Sequence, residues 1–494
     1  MGGGAGQGGG VKESVIDWYG GREYPAMSHP PSHPAVTGVA GRLAGLGPVD
    51  FGGMRVLELG CAGGWNLLPV AAAFPGAQCV GIDVSEPAVA MAREVAAEAG
   101  LDNVRFERAD LAEWEEDGAF DFVIAHGVFS WVEDAVKRRL LDRCREWLAP
   151  EGLAYVGFNT LPGWSFRQPV VEMVRAMAGR EGFGETSGAV LEEIFEALEG
   201  ADSAYAALLR ETVQDMRAKG GVLEFDDFAP VCDPVTVAQF VEWSAESGLR
   251  WLGEAEMSRA MPDGISKSGG ELLDKAAGDR LLAEQLADVL SGRTHRNAVL
   301  ARADARPPDR VSMQVVFDLC VRPLFGVAEV HGTMELLDRG GRVRARMTDR
   351  LARDWFAALA EVAPACVSVG EVLEGVGSRR GGDVSNDLPA LARLILDSAR
   401  AGLHELRTEP VAVAREVPER PRLDALRMAA ARRGRPLVDA FHAPLSFPEA
   451  HYRVLQFIDG TKSAGELAAL ARAHAPKLDF PRWIAHLTER GIVV

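Results

Sequence analysis

Arg55-Val56-Leu57-Glu58-Leu59-Gly60-Cys61-Ala62-Gly63-Gly64 reads as a short apolar strand that passes an acidic residue and turns through three glycines into a helix-compatible segment, Trp65 to Phe74. Glycine serves where the backbone needs positive φ or where a ligand approaches the main chain with no Cβ in the way. A helix that starts at such a turn points free N–H groups at whatever sits there, which favours carboxylates and phosphates. By itself the turn specifies only a strand followed by a helix, so the fold is decided by what flanks it.

Downstream the same alternation repeats. Gln78 to Asp83 is a second buried strand ending on an acid, Glu86 to Gly100 has a helical period, and Asn103 to Phe106 is a third strand leading to Asp110. Phe120 to Ala125 is a fourth strand entering His126-Gly127. After a helix from Asp134 to Leu148 and a turn at Pro150-Glu151-Gly152, Leu153 to Phe158 is a fifth. Strands alternating with helices predict a parallel α/β sheet with right-handed crossovers, and ligands of such sheets bind at the carboxyl ends of the strands. The glycine turn, Asp83, Asp110, His126 and Asn159 all fall on that edge.

Asp83, about 20 residues past Gly60, is spaced to accept both hydroxyls of a ribose, and Asp110 to accept from an adenine amino group. A dinucleotide is disfavoured, because the turn reads G-x-x-G-G rather than G-x-G-x-x-G and Glu58 would bring negative charge to a pyrophosphate. A ligand with a cationic amino acid in that place tolerates Glu58: backbone N–H groups take its carboxylate, and nearby acids and carbonyls take its ammonium.

S-adenosylmethionine (SAM) is such a ligand, and E-x-G-x-x-G-G followed by Asp83 and Asp110 resembles the binding set of class I methyltransferases, with Ala62 at the loop's usual middle glycine. The resemblance narrows with Tyr24-Pro25, Ser32-His33-Pro34, the run from Ala125 to Val132, and Asn159-Thr160-Leu161-Pro162-Gly163-Trp164. These occur in the order found in the bacterial methyltransferase group with a regulatory domain, which includes lysine methyltransferases acting on outer-membrane proteins. The likeness is strongest over about residues 15–175 and resumes from Phe225 to Glu256. It implies a Rossmann-like seven-stranded class I sheet, with Thr294 to Ala301 as its antiparallel last strand. It also implies a SAM site formed by Glu58, Gly60, Ala62, Gly63, Asn66, Asp83, Val84, Asp110, Leu111, His126 and Gly127.

If the acceptor is a lysine amine, its pKa of about 10.4 leaves it protonated at pH 7, so it must lose a proton through water or a base. Candidate catalytic residues are Tyr19, Tyr24, His33 and His126 as bases, with Trp164, Phe129 and Trp131 as an aromatic wall that orients the amine. His126 reads equally as a structural histidine. Ser165 stands where the family commonly has His, which keeps a peptide or small-molecule natural product as the alternative acceptor. An intact glycine and acid set argues against a SAM-binding scaffold without activity.

The rest of the chain bounds these readings. Its 494 residues exceed one ordinary core, and 47% apolar with 25% charged residues is the composition of a folded soluble protein. A formal net charge of −18 leaves no electrostatic footprint for general nucleic-acid binding. Six cysteines without CxxC spacing signal neither zinc nor disulfides and fit a reducing cytoplasm, and with no metal cluster visible, metal-assisted O-methylation is disfavoured. No run of about 18 apolar residues predicts a membrane span.

We expect four parts. Residues 1–47 are a disordered tail and an N-terminal lid, or a surface strap, rich in Pro and aromatic residues. Residues 48–305 are the SAM-binding domain, with helical insertions at about 165–222 and 257–292 and a short strand from Leu249 to Glu254. After a DARPPD linker, 306–420 are a middle α+β domain with strands at Val311 to Val321 and Gly332 to Met347. Residues 421–494 are a winged-helix-like C-terminal domain ending in a strand, read as a capping or dimerisation module, so a homodimer is among the expected assemblies. Nothing after residue 305 carries a catalytic constellation.

Overall fold

The computed structural model describes residues 15–22, 24–260, 265–305 and 311–494. The low-complexity tail and most of the DARPPD linker lie outside the described residues.

The central element is a seven-stranded sheet built from β1 (Arg55–Leu59), β2 (Gln78–Asp83), β3 (Val104–Arg108), β4 (Phe120–Ala125), β5 (Leu148–Asn159), β6 (Leu249–Glu254) and β7 (His295–Arg302), in the order β3-β2-β1-β4-β5-β7-β6. β7 runs antiparallel to both neighbours and the pairs from β3 to β5 are parallel. Helix α1 (Val15–Gly20) and α2 (Pro34–Leu43) precede the sheet, and α3 (Leu67–Ala73), α4 (Glu86–Ala99) and α5 (Asp134–Trp147) cross between its strands. Local chemistry sets these bounds. The Ser85 hydroxyl accepts from the Ala88 N–H to open α4, and Gly100 at φ 67° closes it.

Alternate residues of β1 go to opposite faces of the sheet. Val56 joins Phe122, Ile124, Tyr155 and Val299 in the core under α3 and α4, whereas Leu57 and Leu59 join Val123, Phe129, Leu140 and Phe240 under α5. The first core continues without a break into the C-terminal helices through Leu426, Leu455 and Ile484. Residues 316–406 pack a separate core around Trp355, Phe356 and Ile395. The helices Gln168–Met177, Ser187–Glu199 and Ala204–Ala218, inserted between β5 and β6, pack another around Val174 and Val213.

Several local readings are corrected. Pro150-Glu151-Gly152 is not a free turn but a bulge inside β5, where the register with β4 shifts between Phe120 and Phe122. Val311 to Val321 is mostly a 3-10 helix, Met313–Asp318, with only Cys320–Pro323 in a strand. The strands expected from Gly332 to Met347 are present, as an antiparallel hairpin of Thr333–Leu337 with Val343–Met347. The C-terminal part carries a two-residue hairpin and then the helices Glu449–Leu455, Ala464–His474 and Phe480–Glu489. Its last residues form no strand ladder, although Val494 and Arg422 exchange two backbone hydrogen bonds of 3.0 Å. Among the described residues no helix is long and apolar enough to cross a membrane.

Candidate active site

The carboxyl ends of β1 to β4 open on one cavity of about 820 Å³. Its first wall is the turn after β1. Gly60 has φ 72°, and a Cβ there would lie 2.5 Å from Val128 Cγ2, so glycine is required on both counts. Ala62 holds φ 43°, a left-handed value that an alanine rarely takes. The turn is held by its neighbour strand: the Gly60 and Cys61 N–H groups donate to Ile82 O at 2.9 and 3.0 Å, and the Ala62 N–H donates to Asp83 Oδ2 at 2.8 Å. Asp83 Oδ1 accepts from the Ser85 N–H at 2.8 Å. Burial raises the Asp83 carboxyl above its ordinary range, and the backbone N–H bonds oppose that.

Glu58 is buried on β1. Its Oε1 accepts from Asn66 Nδ2 at 2.6 Å, while its Oε2 has no hydrogen-bond partner among the described residues. Burial, opposed by the Asn66 bond, pushes its carboxyl up to about 8. A buried acid with one orphaned oxygen fits the ammonium of an amino acid.

All eleven residues expected at the cofactor line this cavity: Glu58, Gly60, Ala62, Gly63 and Asn66 around the first turn, Asp83 and Val84 after β2, Asp110 and Leu111 after β3, His126 and Gly127 after β4. Of the expected catalytic residues, Tyr19, Tyr24 and His126 line it too. His33 and Trp164 do not. His33 caps α2, its Nδ1 accepting from the Ala35 N–H and from Arg407, both at 3.1 Å. Trp164 is buried in a short 3-10 turn, Gly163–Phe166. Phe129 is also core, packed on Phe158 and Phe240. Trp131 does reach the cavity wall and donates to Asp226 O at 2.8 Å.

The N-terminal segment lines one side of the cavity, with Trp18, Tyr19, Tyr24 and His29 among its residues. Tyr19 donates to Phe225 O at 2.7 Å and Tyr24 to Asp226 Oδ1 at 3.1 Å, and Ser85 Oγ donates to Arg22 O at 3.1 Å. Burial, then the Asp226 charge, raises both phenols far above their ordinary value, and in this structure each donates its hydroxyl proton.

Several cavity residues escaped the sequence reading. His29 stacks on His126 with ring centroids 3.5 Å apart, and Asp226 lines the cavity beside Tyr24. Burial lowers His29 to about 4 and His126 well below its ordinary value, so both rings are neutral at pH 7. A signal for His29 existed in the Pro-rich segment that carries it, but Asp226 has no motif of its own. His442, from the C-terminal part, lies 2.8 Å through Nε2 from Asn66 Oδ1. The region after residue 305 therefore touches the cofactor loop.

Comparison with known proteins fits this geometry. Residues 56–152 match the family model of a methyltransferase domain, and residues 221–302 that of a predicted methyltransferase regulatory domain. The chain is 32% identical over 195 residues to the uncharacterized protein RP028 of Rickettsia prowazekii, spanning 38% of this chain and 77% of that one. This chain belongs to the class I SAM-dependent methyltransferases that carry a regulatory domain. The methyltransferase is also 34% identical over 135 residues to trans-aconitate 2-methyltransferase of Variovorax paradoxus, covering 27% of this chain and 48% of that enzyme. In fold it is similar to PKMT2 from Rickettsia typhi, with a TM-score of 0.82, 18% identity, and coverage of 95% of this chain and all of that one. The same protein in complex with AdoHcy aligns with a TM-score of 0.78, 19% identity and 92% of each chain covered.

Proposed function

We propose that this methyltransferase N-methylates lysine side chains of a protein, with SAM held by the cavity residues named above. The observation that carries the reading is the sign of the cavity. Asp83, Asp110, Glu133 and Asp226 line it, with Glu58 as a further acid that a cation would ionise, against only Arg22 and Arg175, and Arg175 donates to Ala229 O. Such a wall favours a cationic cofactor and a cationic acceptor, and disfavours a carboxylate such as the tricarboxylic substrate in the Variovorax enzyme's name.

Bound SAM supplies an electrophilic methyl group on a sulfonium. In this reading Glu58 receives its ammonium, Asp83 its ribose hydroxyls and Asp110 its adenine amino group. The acceptor enters under the N-terminal segment, which acts as a lid, between Tyr19, Tyr24 and Trp131, and its ammonium meets Asp226. Desolvation raises the Asp226 carboxyl. Its nearest cation, Lys219, is 3.6 Å away and sits closer to Asp227, at 2.6 Å. Asp226 thus has unfilled capacity for a charge-assisted bond. Pairing orients the amine before the proton is lost, and exclusion of water by the lid keeps the reacting nitrogen from being re-solvated. The four-part division of the chain belongs to the same reading, with the C-terminal part supporting the cofactor loop.

The test is transfer from labelled SAM to a cell lysate, then to extracted small molecules, with acid hydrolysis of the labelled product. Label recovered as methyl-lysine supports the reading, and label confined to a small molecule or to a base-labile ester overturns it. Asp226→Asn should lower kcat/KM for the protein acceptor about 10-fold or more, since hydrogen bonds to charged groups contribute about 1.5–3 kcal/mol, and leave SAM affinity unchanged.

A further inference from the structure

We infer that Asn297 and Tyr155 are positioning residues that hold His126 as its Nδ1–H tautomer, so that Nε2 meets the acceptor nitrogen as a hydrogen-bond acceptor. The clause about the acceptor rests on the lysine reading. The tautomer does not.

One proton after another is fixed along a chain of three side chains, on β7, on β5 and just past the end of β4. Asn297 lies on β7, inside the segment matched by the regulatory-domain model. Its side-chain amide is oriented by Glu256, to whose Oε2 the Nδ2 group donates at 3.4 Å, while the backbone N–H, donating to Glu254 Oε2 at 2.8 Å, fixes the main chain. With Nδ2 on the carboxylate, Oδ1 is the atom left for Tyr155, whose hydroxyl lies 2.8 Å away and donates to it. A phenol has one proton. Once it is given to Asn297, the Tyr155 oxygen can only accept, and the group facing it is His126 Nδ1 at 2.9 Å. That nitrogen must then carry the ring's proton, and Nε2 must be bare. His126 Nε2 meets no hydrogen-bonding partner among the described residues, and the ring lines the cavity.

The packing holds the ring in that pose. Tyr155 and Asn297 are buried, and His126 is held on one face by the His29 ring, 3.5 Å between centroids, and at its Nδ1 edge by the Tyr155 hydroxyl. At Gly157 a Cβ would lie 2.8 Å from His126 Nδ1, so β5 leaves room for the ring only by carrying glycine there. A neutral ring with a bare nitrogen suits a site that holds a sulfonium and receives an amine. An imidazolium would repel both, and the Nε2–H tautomer would turn a donor on the nitrogen that must keep its lone pair for the methyl group. An acceptor at Nε2 instead takes one N–H of the neutral amine and fixes the direction of that lone pair. The proton lost on the way to the neutral amine passes to water.

Two-bond ¹H–¹⁵N correlation spectra of the full-length protein labelled with ¹⁵N-histidine read the tautomer directly, with His126→Gln to assign the signal. The expected wild-type pattern is a protonated Nδ1 and a bare Nε2. In Asn297→Ala, Tyr155 loses its acceptor, turns its proton to Nδ1, and the ring changes to Nε2–H. Tyr155→Phe keeps the aromatic ring and should give a mixture, which serves if the alanine variant does not fold. A wild-type Nε2–H ring, an imidazolium at pH 7, or a pattern unmoved in both variants overturns the inference. Transfer to the lysate protein should fall about 10²-fold in kcat in Asn297→Ala, the scale of a misaimed nucleophile, while SAM affinity by calorimetry stays within about twofold of wild type. The expected spectra without methyl-lysine in the product would uphold the relay and overturn only the lysine reading.

Discussion

If Glu58 receives the SAM ammonium, as proposed, cofactor binding is coupled to protonation. The Glu58 carboxyl, raised to about 8 by burial, is mostly protonated at pH 7 in the free protein. An ammonium placed against its orphaned Oε2 favours the carboxylate and draws that value down. The sign follows from linkage: binding releases a proton wherever the free form holds one and the bound form does not, so affinity rises with pH toward about 8 as Glu58 ionises, until the ligand's own α-ammonium begins to lose its proton. Calorimetry of SAM binding at pH 7 in buffers of different ionisation enthalpy should show release of about one proton. Glu58→Gln should release none and bind about 10-fold or more weakly, from the lost charge-assisted bond. Binding with no proton release in the wild type would place the ammonium elsewhere. The neighbouring turn makes a second residue-level prediction with opposite outcomes at two sites. Gly60→Ala adds a left-handed alanine and a 2.5 Å contact with Val128, together costing about 2–4 kcal/mol. Ala62→Gly relieves φ 43° and should change stability by about 0–1 kcal/mol in the favourable direction. Thermal midpoints would rank them, and equal destabilisation by both would refute the assigned backbone strain.

At the level of elements, the sheet was legible because its information is local. Buried parallel strands appear as apolar runs, their ends as acids and glycines, and the edge where a ligand binds follows from chain direction. β6 and β7 were read nearly to the residue. What failed was set by distant partners. Pro150-Glu151-Gly152 has turn composition, yet β4 draws it into β5 as a bulge. Val311 to Val321 has strand composition, yet it coils into a 3-10 helix whose Val316 is fully buried in the core of the middle part. The site shows the same division. Glu58, Asp83 and Asp110 are announced by position after or within a strand. Tyr155 meets His126 across 29 residues and Asn297 across 142, and Tyr24 meets Asp226 across 202, so no spacing along the chain marks them. His33 and Trp164 stood out in the sequence for the Pro-rich turns around them, and those turns use the two residues to cap a helix and fill a corner.

Across the whole molecule, Asn66 is where three parts of the chain meet the cofactor loop. Its Nδ2 donates to Glu58 Oε1 at 2.6 Å and to Ser32 Oγ at 3.1 Å, and its Oδ1 accepts from the His29 N–H and from His442 Nε2, both at 2.8 Å. All four hydrogen-bonding positions of the amide are thus filled, two by the N-terminal segment and one by the C-terminal part. His442 is itself constrained. It holds φ 71°, its carbonyl accepts from Ser28 Oγ at 2.9 Å, and Asp439 ties its loop by accepting from the Phe441 and Ala443 N–H groups and pairing with Arg490. Burial, then the Arg407 charge, lowers His442 to about 3, so its Nε2–H is a neutral donor throughout the working range of pH. Removing that donor frees the Asn66 amide that aims Glu58, while His442 itself stays outside the lining of the cavity. His442→Phe keeps a ring in the same pocket and should weaken SAM binding about 5- to 10-fold, equivalent to about 1–1.4 kcal/mol, the size of one buried hydrogen bond. The decisive comparison is between this variant and Leu455→Ala, which opens the same C-terminal core but leaves Asn66 fully bonded. Loss of thermal stability in both with loss of affinity only in His442→Phe makes the C-terminal part a support of the cofactor loop, whereas equal affinity in the two reduces it to a packing module.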